Sequence, residues 1–275
     1  MTPTVRSSGL SSDITLTTLR NMKKKGEKFV CLTAYDACFA KVLENAGVEV
    51  ILVGDSLGMV VQGKRSTLPV TIADMIYHTQ CVSNGKNHAM LMVDIPFMSD
   101  MTPQQSLATA ARLIKKGGAE IVKIEGGTAV VENVRLMSQR GIAVCAHLGL
   151  LPQSVNKMGG YRVQGKDDLT SQRIVDDAQL LVEAGADLVL LECVPKDVAR
   201  RVVDVVEAPV IGIGAGNVCD GQVLVLHDML GITPGKRPRF SRNFLEGNAS
   251  ILDAVSAYVA AVKDGSFPSD EQSYL

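Results

Sequence analysis

Short apolar runs recur along the chain, separated by amphipathic stretches. The runs are FVCLTA (29–34), VILVGD (50–55), AMLMVD (89–94), IVKIE (121–125), IAVCAHL (142–148), LVLLE (188–192), PVIGIGAG (209–216) and, least clearly, VLVLHD (223–228). Between them lie segments such as DACFAKVLENAG, TPQQSLATAARLIKKGGA and LTSQRIVDDAQLLVEAGA, several ending in the Ala-Gly or Gly-Ala pairs expected where a helix stops. Thr102 and Pro103 supply an N-cap and a first-turn proline, and Pro209 opens a run where a strand tolerates its missing N–H. Near-continuous apolar strands separated by helices form a parallel sheet buried on both faces. Eight such units predict an α/β fold, a single-domain (β/α)8 TIM barrel over residues 1–275. Residues 1–20 read as a loosely ordered N-terminal arm, ILDAVSAYVAAVKDG as a C-terminal helical tail, and 265–275 as a polar, mobile end. A doubly wound sheet is the alternative, but no strand is followed by GxGxxG opening a helix, and GIGAGN comes late and lacks an acid placed for a ribose.

The chemistry lies in where polar residues interrupt these runs. Asp55 follows ILVG, Asp94 follows LMV, Glu125 follows KI, His147 follows VCA and Glu192 follows VLL, each at the C-terminal end of its run. Strand side chains alternate faces, so Lys123 and Glu125 share one face. In a barrel these ends converge on one mouth, where the active sites of this architecture lie. Any one of these acids alone would read as a helix N-cap or a surface charge. Acids, a lysine and a histidine at the same end of five strands read as a site, and like charges crowded in a low-dielectric mouth need a cation to balance them. Three carboxylates with one histidine and no thiolate set suit a hard ion such as Mg2+ better than zinc. The adjacent carboxylate and carbonyl oxygens of a 2-oxo acid would chelate that ion, Lys123 would counter the acid's charge, and the polarised carbonyl would stabilise an enolate. Glu192, the unassigned carboxylate, sits among Leu190, Leu191, Cys193 and Val194, surroundings expected to raise its pKa toward that of a working base. The residues alone therefore predict metal-dependent enolate chemistry on a small oxo acid. The competing reading is a Schiff-base aldolase using Lys123, weakened by the neighbouring glutamate, which would hold the amine protonated.

Composition narrows the partners. With a net charge of -1 the chain has no basic surplus for nucleic acid or an acidic membrane, and its zero Trp and 4% aromatic content weigh against a stacking surface for single strands. Its longest apolar stretches are broken by acids and glycines, and its first twenty residues lack the apolar core of a secretory signal. Cysteines at 31, 38, 81, 145, 193 and 219 form no CxxC pair and read as small core residues. A cytoplasmic, reduced location is the expectation.

The segments LTAYDACFAKVLENAGV, LVGDSLGMVVQGKRSTLPVT, VDIPFMS, VKIEGG, HLGLLPQSVNKMGGYRVQG, LLECVP and PVIGIGAGNVCDGQVLVLHDMLGI run in order from about residue 30 to 245, ending with NFL. Through them the sequence resembles the ketopantoate hydroxymethyltransferase family, itself similar to the phosphoenolpyruvate mutase and isocitrate lyase group of barrels. The resemblance implies transfer of a one-carbon unit from 5,10-methylenetetrahydrofolate to 3-methyl-2-oxobutanoate, giving 2-dehydropantoate for pantothenate synthesis. It implies that Asp55 and Asp94 hold Mg2+, that Glu125 completes the metal environment, and that Asp55, Ser56, Asp94 and Lys123 contact the oxo acid. Glu192 is then the proton acceptor, and His147 either orients the acid–base groups or is a satisfied core histidine. The resemblance also implies a ring-like homo-oligomer, a decamer, to which the apolar C-terminal helix would contribute.

Other segments carry weaker expectations. GGYRVQG (159–165) suits a lid or a folate contact, with an ordinary exposed loop as the alternative. GIGAGN is expected to serve close backbone packing rather than phosphate binding. Gly126 and Gly127 would turn the chain without crowding the oxo acid. His78 and His227 read as structural and His88 as solvated. The basic stretch 231–244, with Lys236, Arg237, Arg239 and Arg242, reads as a solvated surface, with a folate polyglutamate tail or a neighbouring subunit as the alternative.

Overall fold

Val50, Ile51, Leu52 and Val53 place apolar side chains on both faces of one strand, and all four are buried. That pattern requires cover on each side, and a closed barrel ringed by helices supplies it. The computed structural model describes residues 11–274 except Pro234 and Lys236. The strands are β1 (Phe29–Thr33), β2 (Val50–Val53), β3 (Met90–Asp94), β4 (Ile121–Glu125), β5 (Ala143–Gly149), β6 (Leu188–Glu192), β7 (Val210–Ile213) and β8 (Gly221–Leu224). They pair in parallel in sequence order, and β1 pairs with β8 to close the ring. The protein is thus a (β/α)8 barrel.

The helices are α1 (Leu16–Lys25), α2 (Ala37–Asn45), α3 (Leu57–Val60), α4 (Ile72–Gly85), α5 (Pro103–Arg112), α6 (Val131–Gln139), α7 (Val155–Met158), α8 (Asp168–Glu183), α9 (Lys196–Val205), α10 (Leu226–Met229) and α11 (Ile251–Lys263). Several start on side-chain caps, Thr102 among them, whose hydroxyl accepts the Gln105 N–H at 3.2 Å ahead of Pro103. The helix ends at Ala46-Gly47 and Ala184-Gly185 turn through glycines at φ +91° and +106°, as the Ala-Gly pairs predicted.

Four expectations change. The first helix begins at Leu16, inside the stretch read as an arm, because Leu19 is buried and Lys23 reaches the Val203 and Ala208 carbonyls and Asp220; residues 1–10 of the arm lie outside the described residues. The eighth strand is Gly221–Leu224 rather than 223–228, so His227 and Asp228 stand on α10. No helix links β7 to β8; residues 214–220 make the crossover, with Gly214 and Gly216 at φ +63° and +77°. An added Cβ at Gly216 would come within 2.7 Å of the Lys196 side chain, the close packing expected of GIGAGN. Finally, the C-terminal segment packs instead of trailing away: Phe267 is buried and the Tyr274 carbonyl accepts the Lys196 N–H at 2.8 Å. Leu275 lies outside the described residues.

The apolar stripe of α11 is spent within the barrel, where Ala254, Val255, Tyr258 and Val262 are buried. The Tyr258 hydroxyl stands 3.1 Å from both the Cys31 carbonyl of β1 and the Gln222 carbonyl of β8, bridging the closing seam. Cys31, Cys145, Cys193 and Cys219 are buried as small core residues, whereas Cys38 is exposed on α2.

Candidate active site

Strand register brings the polar residues together. Asp94 is the Cα partner of Lys123, Glu125 of His147, and Gly149 of Glu192. Neighbouring strand ends therefore present these side chains around one rim, and all of them except Gly149, with Asp55 and Ser56, line a single cavity of about 560 Å3. The six residues predicted for the site, and His147, are thus brought to one place.

At its base Asp55, Asp94 and Lys123 are buried to within 5% of full enclosure. Lys123 Nζ stands 3.1 Å from Asp94 Oδ1, while Asp94 Oδ2 accepts the Asp55 N–H at 3.0 Å. Gly54 keeps this turn tight: a Cβ there would meet Ser56 Oγ at 2.8 Å and Asp94 Oδ2 at 3.4 Å. Ser56 Oγ is held 2.9 Å from the Tyr35 hydroxyl. Burial works against the ammonium of Lys123, yet Asp94, Glu125 and Asp55 outweigh it and push its pKa well above the ordinary lysine value. Burial, together with repulsion from Asp94, raises Asp55 and Glu125 above ordinary carboxylates, with Lys123 opposing.

His147 links this base to Glu192. Its Nδ1 lies 3.1 Å from Lys123 Nζ and its Nε2 lies 3.3 Å from Glu192 Oε2. A protonated lysine can only donate, so Nδ1 is the acceptor and the ring proton resides on Nε2, facing Glu192. Burial and the Lys123 charge both lower the His147 pKa, with Glu192 acting the other way, so the ring is a neutral relay between cation and carboxylate. The approach to Glu192 is too poorly directed to satisfy Nε2, which keeps a buried, unspent donor. Glu192 therefore faces an imidazole on one side, in place of the wholly apolar surroundings expected from its sequence neighbours.

The backbone around Glu192 is tightly constrained. Its carbonyl accepts the Leu150 N–H at 2.8 Å, and Gly149, at φ +90°, passes so close that a Cβ would lie 2.3 Å from that oxygen. The next residue, Cys193, adopts φ +49°, a conformation costly for a side chain and typical of functional turns.

A divalent cation suits the donor set. Three carboxylates with enclosed side chains face one lysine charge; Asp94 Oδ1 is ion-paired with Lys123, while Glu125 Oε1 is enclosed without a hydrogen bond. Among the described residues no three His, Cys, Asp or Glu side chains close around one point by themselves. An ion held by one or two carboxylates, with water or substrate oxygens filling its shell, fits that arrangement, which is the habit of Mg2+.

Some residues here escaped the sequence reading. Gln153 receives no expectation, yet its N–H donates to Glu125 Oε2 at 3.0 Å and its amide to Asp55 Oδ2 and the Ile95 carbonyl, both at 2.9 Å. Its sequence signal is its place four residues past β5. Asp228, Tyr274, Arg237 and Arg239 also line the cavity, so part of the basic stretch faces the mouth; Lys236 lies outside the described residues. Tyr161 of GGYRVQG lines it too, and the loop is tied down where the Gln164 N–H donates to the Cys193 carbonyl at 2.9 Å. The glycine pair has a different neighbour from the one expected. A Cβ on Gly127 would strike the Asp177 carboxylate at 2.0 Å, so that glycine makes room for α8, not for substrate. His78 is structural, its Nδ1 2.8 Å from the Tyr35 carbonyl, and His88 pairs at the surface with Asp13.

Among the described residues no helix is long and apolar enough to cross a membrane. The model of the family described as ketopantoate hydroxymethyltransferase matches residues 13–270. The 3-methyl-2-oxobutanoate hydroxymethyltransferase of Nitrosococcus oceani is 58% identical over 261 residues, covering 95% of this chain and 99% of that protein. Hahella chejuensis has a protein named 3-methyl-2-oxobutanoate hydroxymethyltransferase 2 that is 54% identical, covering 95% and 98%. A phosphonopyruvate hydrolase solved with oxalate and Mg++ shares the fold at TM-score 0.59 and 14% identity, over 94% of this chain and 92% of that one. A 2,3-dimethylmalate lyase of the PEP mutase/isocitrate lyase superfamily does so at TM-score 0.57 and 18% identity, over 78% and 79%.

Proposed function

The chain belongs to the ketopantoate hydroxymethyltransferase family and is a transferase, and on that premise we propose that it hydroxymethylates 3-methyl-2-oxobutanoate through an enolate, with 5,10-methylenetetrahydrofolate as donor and Mg2+ as cofactor. The observation that carries this reading is the buried group of Asp55, Asp94, Glu125 and Lys123, joined through His147 to Glu192 at the cavity wall. Asp55 and Asp94 would hold the ion, with Glu125 beside it, and the ion would supply Lewis acidity toward the α-carbonyl, favouring loss of a C3 proton.

The chain's own residues do the rest. Lys123, kept protonated by the carboxylates around it, meets the negative charge of the oxo acid and the charge that develops on its oxygen. Ser56, fixed by Tyr35, offers a hydroxyl at the same rim. Glu192 accepts the C3 proton, and the Nε2–H of His147, 3.3 Å from its Oε2, steadies the carboxylate's charge through proximity. Water hydrolyses both C–N bonds to the donor's methylene carbon, releasing tetrahydrofolate and a one-carbon aldehyde. The nucleophilic C3 carbon attacks that aldehyde carbon, and its oxygen takes up the proton held by Glu192 to become the new hydroxyl. Burial closes the base of the site to water and strengthens each of these interactions. The protonated, paired state of Lys123 also weighs against a Schiff base at that residue.

Deuterium exchange at C3 of the oxo acid, followed by NMR without folate, tests the enolate step. We expect exchange with Mg2+, loss of exchange in EDTA, and restoration on adding Mg2+ back. A metal-replete protein that turns over but never exchanges C3 would sink the enolate reading. Borohydride trapping of substrate on Lys123 would favour the aldolase instead.

A further inference from the structure

Asp228 lies on the part of the cavity wall that the chemistry above does not use. It follows β8, and in the closed ring β8 stands opposite β4, the strand of Lys123 and Glu125. Its side chain lines the same cavity as Asp55 and Glu192, although the residue is only 7% exposed. One carboxylate oxygen accepts the Thr233 hydroxyl at 2.6 Å; among the described residues, no hydrogen bond or ion pair reaches the other. That second oxygen opens onto the cavity and can accept donors presented from there. Leu224, Val225, Phe240 and Tyr274 line the cavity with it, and Arg237 and Arg239 stand on the same lining. The space is also far larger than a five-carbon oxo acid held against β2, β3 and β4 would fill. An acceptor pair beside aromatic and apolar side chains suits a flat heteroaromatic ring that carries two parallel N–H donors on one edge.

We infer that Asp228 binds the 2-amino-4-oxo edge of the donor's pterin, one oxygen accepting from N3–H and the other from the 2-amino group, with Phe240 and Tyr274 bounding the ring. The assignment rests on the folate reading above. It sets the donor on the β8 side and the oxo acid on the β4 side, with Glu192 on β6 midway around the rim between them.

Equilibrium titration tests this with tetrahydrofolate and its 2-desamino analogue against the full-length protein and Asp228→Asn, with Mg2+ and oxo acid present. In the wild type, loss of the 2-amino group is expected to weaken binding about 10-fold or more, the worth of one charge-assisted hydrogen bond. Asp228→Asn is expected to weaken tetrahydrofolate by a similar factor and then to discriminate little between the two ligands. Equal discrimination by the two proteins would overturn the assignment, as would unchanged tetrahydrofolate affinity in Asp228→Asn. Should that variant fail to fold by circular dichroism, the wild type alone decides: an analogue binding as tightly as tetrahydrofolate refutes the contact. A wild type that exchanges C3 but binds no tetrahydrofolate overturns the folate reading and this assignment together, leaving the enolate reading standing.

Discussion

Gly149→Ala is the substitution that best tests how the barrel aims its proposed base. Gly149 sits at φ +90°, where a side chain costs about 1–2 kcal/mol. Its new Cβ would lie 2.3 Å from the Glu192 carbonyl oxygen and 2.7 Å from Val194 Cγ1. The oxygen has little freedom to retreat, because it accepts the Leu150 N–H at 2.8 Å and the following Cys193 N–H is bound to the Ile213 carbonyl at 2.9 Å. Forcing such a contact into a packed core costs a further 1–3 kcal/mol or so, giving a total loss of about 2–5 kcal/mol. Reaching even the tight limit of 3.0 Å moves the strand ends apart by 0.7 Å, which swings the Glu192 carboxylate away from His147. A misplacement of about 1 Å at a reacting group costs roughly 100-fold in rate. Urea denaturation gives the stability change, and C3 exchange of the oxo acid gives the rate. A variant that loses less than about 1 kcal/mol and exchanges at the wild-type rate would refute the claim that Gly149 sets the position of Glu192.

Three further outcomes follow from the buried charges and the closing seam. Lys123→Met removes the cation from three buried carboxylates and is expected to cost about 3–5 kcal/mol in EDTA by denaturant midpoint; a loss under about 1 kcal/mol would show that Lys123 does not balance them. Glu125 has its folded pKa raised above 4.5, chiefly by burial, so the wild type forfeits stability as pH climbs from 4.5 through the folded value, near 7. Glu125→Gln in EDTA should therefore be more stable than wild type at pH 8, by roughly 1–3 kcal/mol, with the advantage fading near pH 4.5; a gap that does not vary with pH would contradict that sign. Tyr258→Phe deletes the hydroxyl that bridges β1 and β8, and thermal unfolding should show a loss of about 1–3 kcal/mol, against no change if the seam is held by packing alone.

Much of this was legible because a barrel converts chain order into geometry. Asp55, Asp94, Glu125, His147 and Glu192 all end apolar runs, and parallel strands in sequential order carry such ends to one rim. Gln153 was not legible, since its amide acts on Asp55, 98 positions away, and only the turn after β5 places it there. Asp228 ends the VLVLHD run as Asp55 and Asp94 end theirs, so the same signal pointed to it, but the run's register was wrong: the strand stops at Leu224 and a short helix carries Asp228 to the cavity. The helix missing between β7 and β8 has the same origin, because the PVIGIGAG and VLVLHD runs are apolar enough to pass for two ordinary strands with cover between them.

By itself the sequence determined the class of fold, the end of the barrel that holds the chemistry, and the residue types available there, because apolar periodicity and strand alternation are local properties. Only the tertiary structure decided which charges touch. It set Lys123 between Asp94 and His147, turned the His147 ring so that its proton faces Glu192, and left one buried carboxylate, Asp228, across the cavity. Those pairings depend on register between strands and on turns that bring distant segments within 3 Å or so. A pKa or a hydrogen bond follows from that short-range geometry, not from the order of residues along the chain.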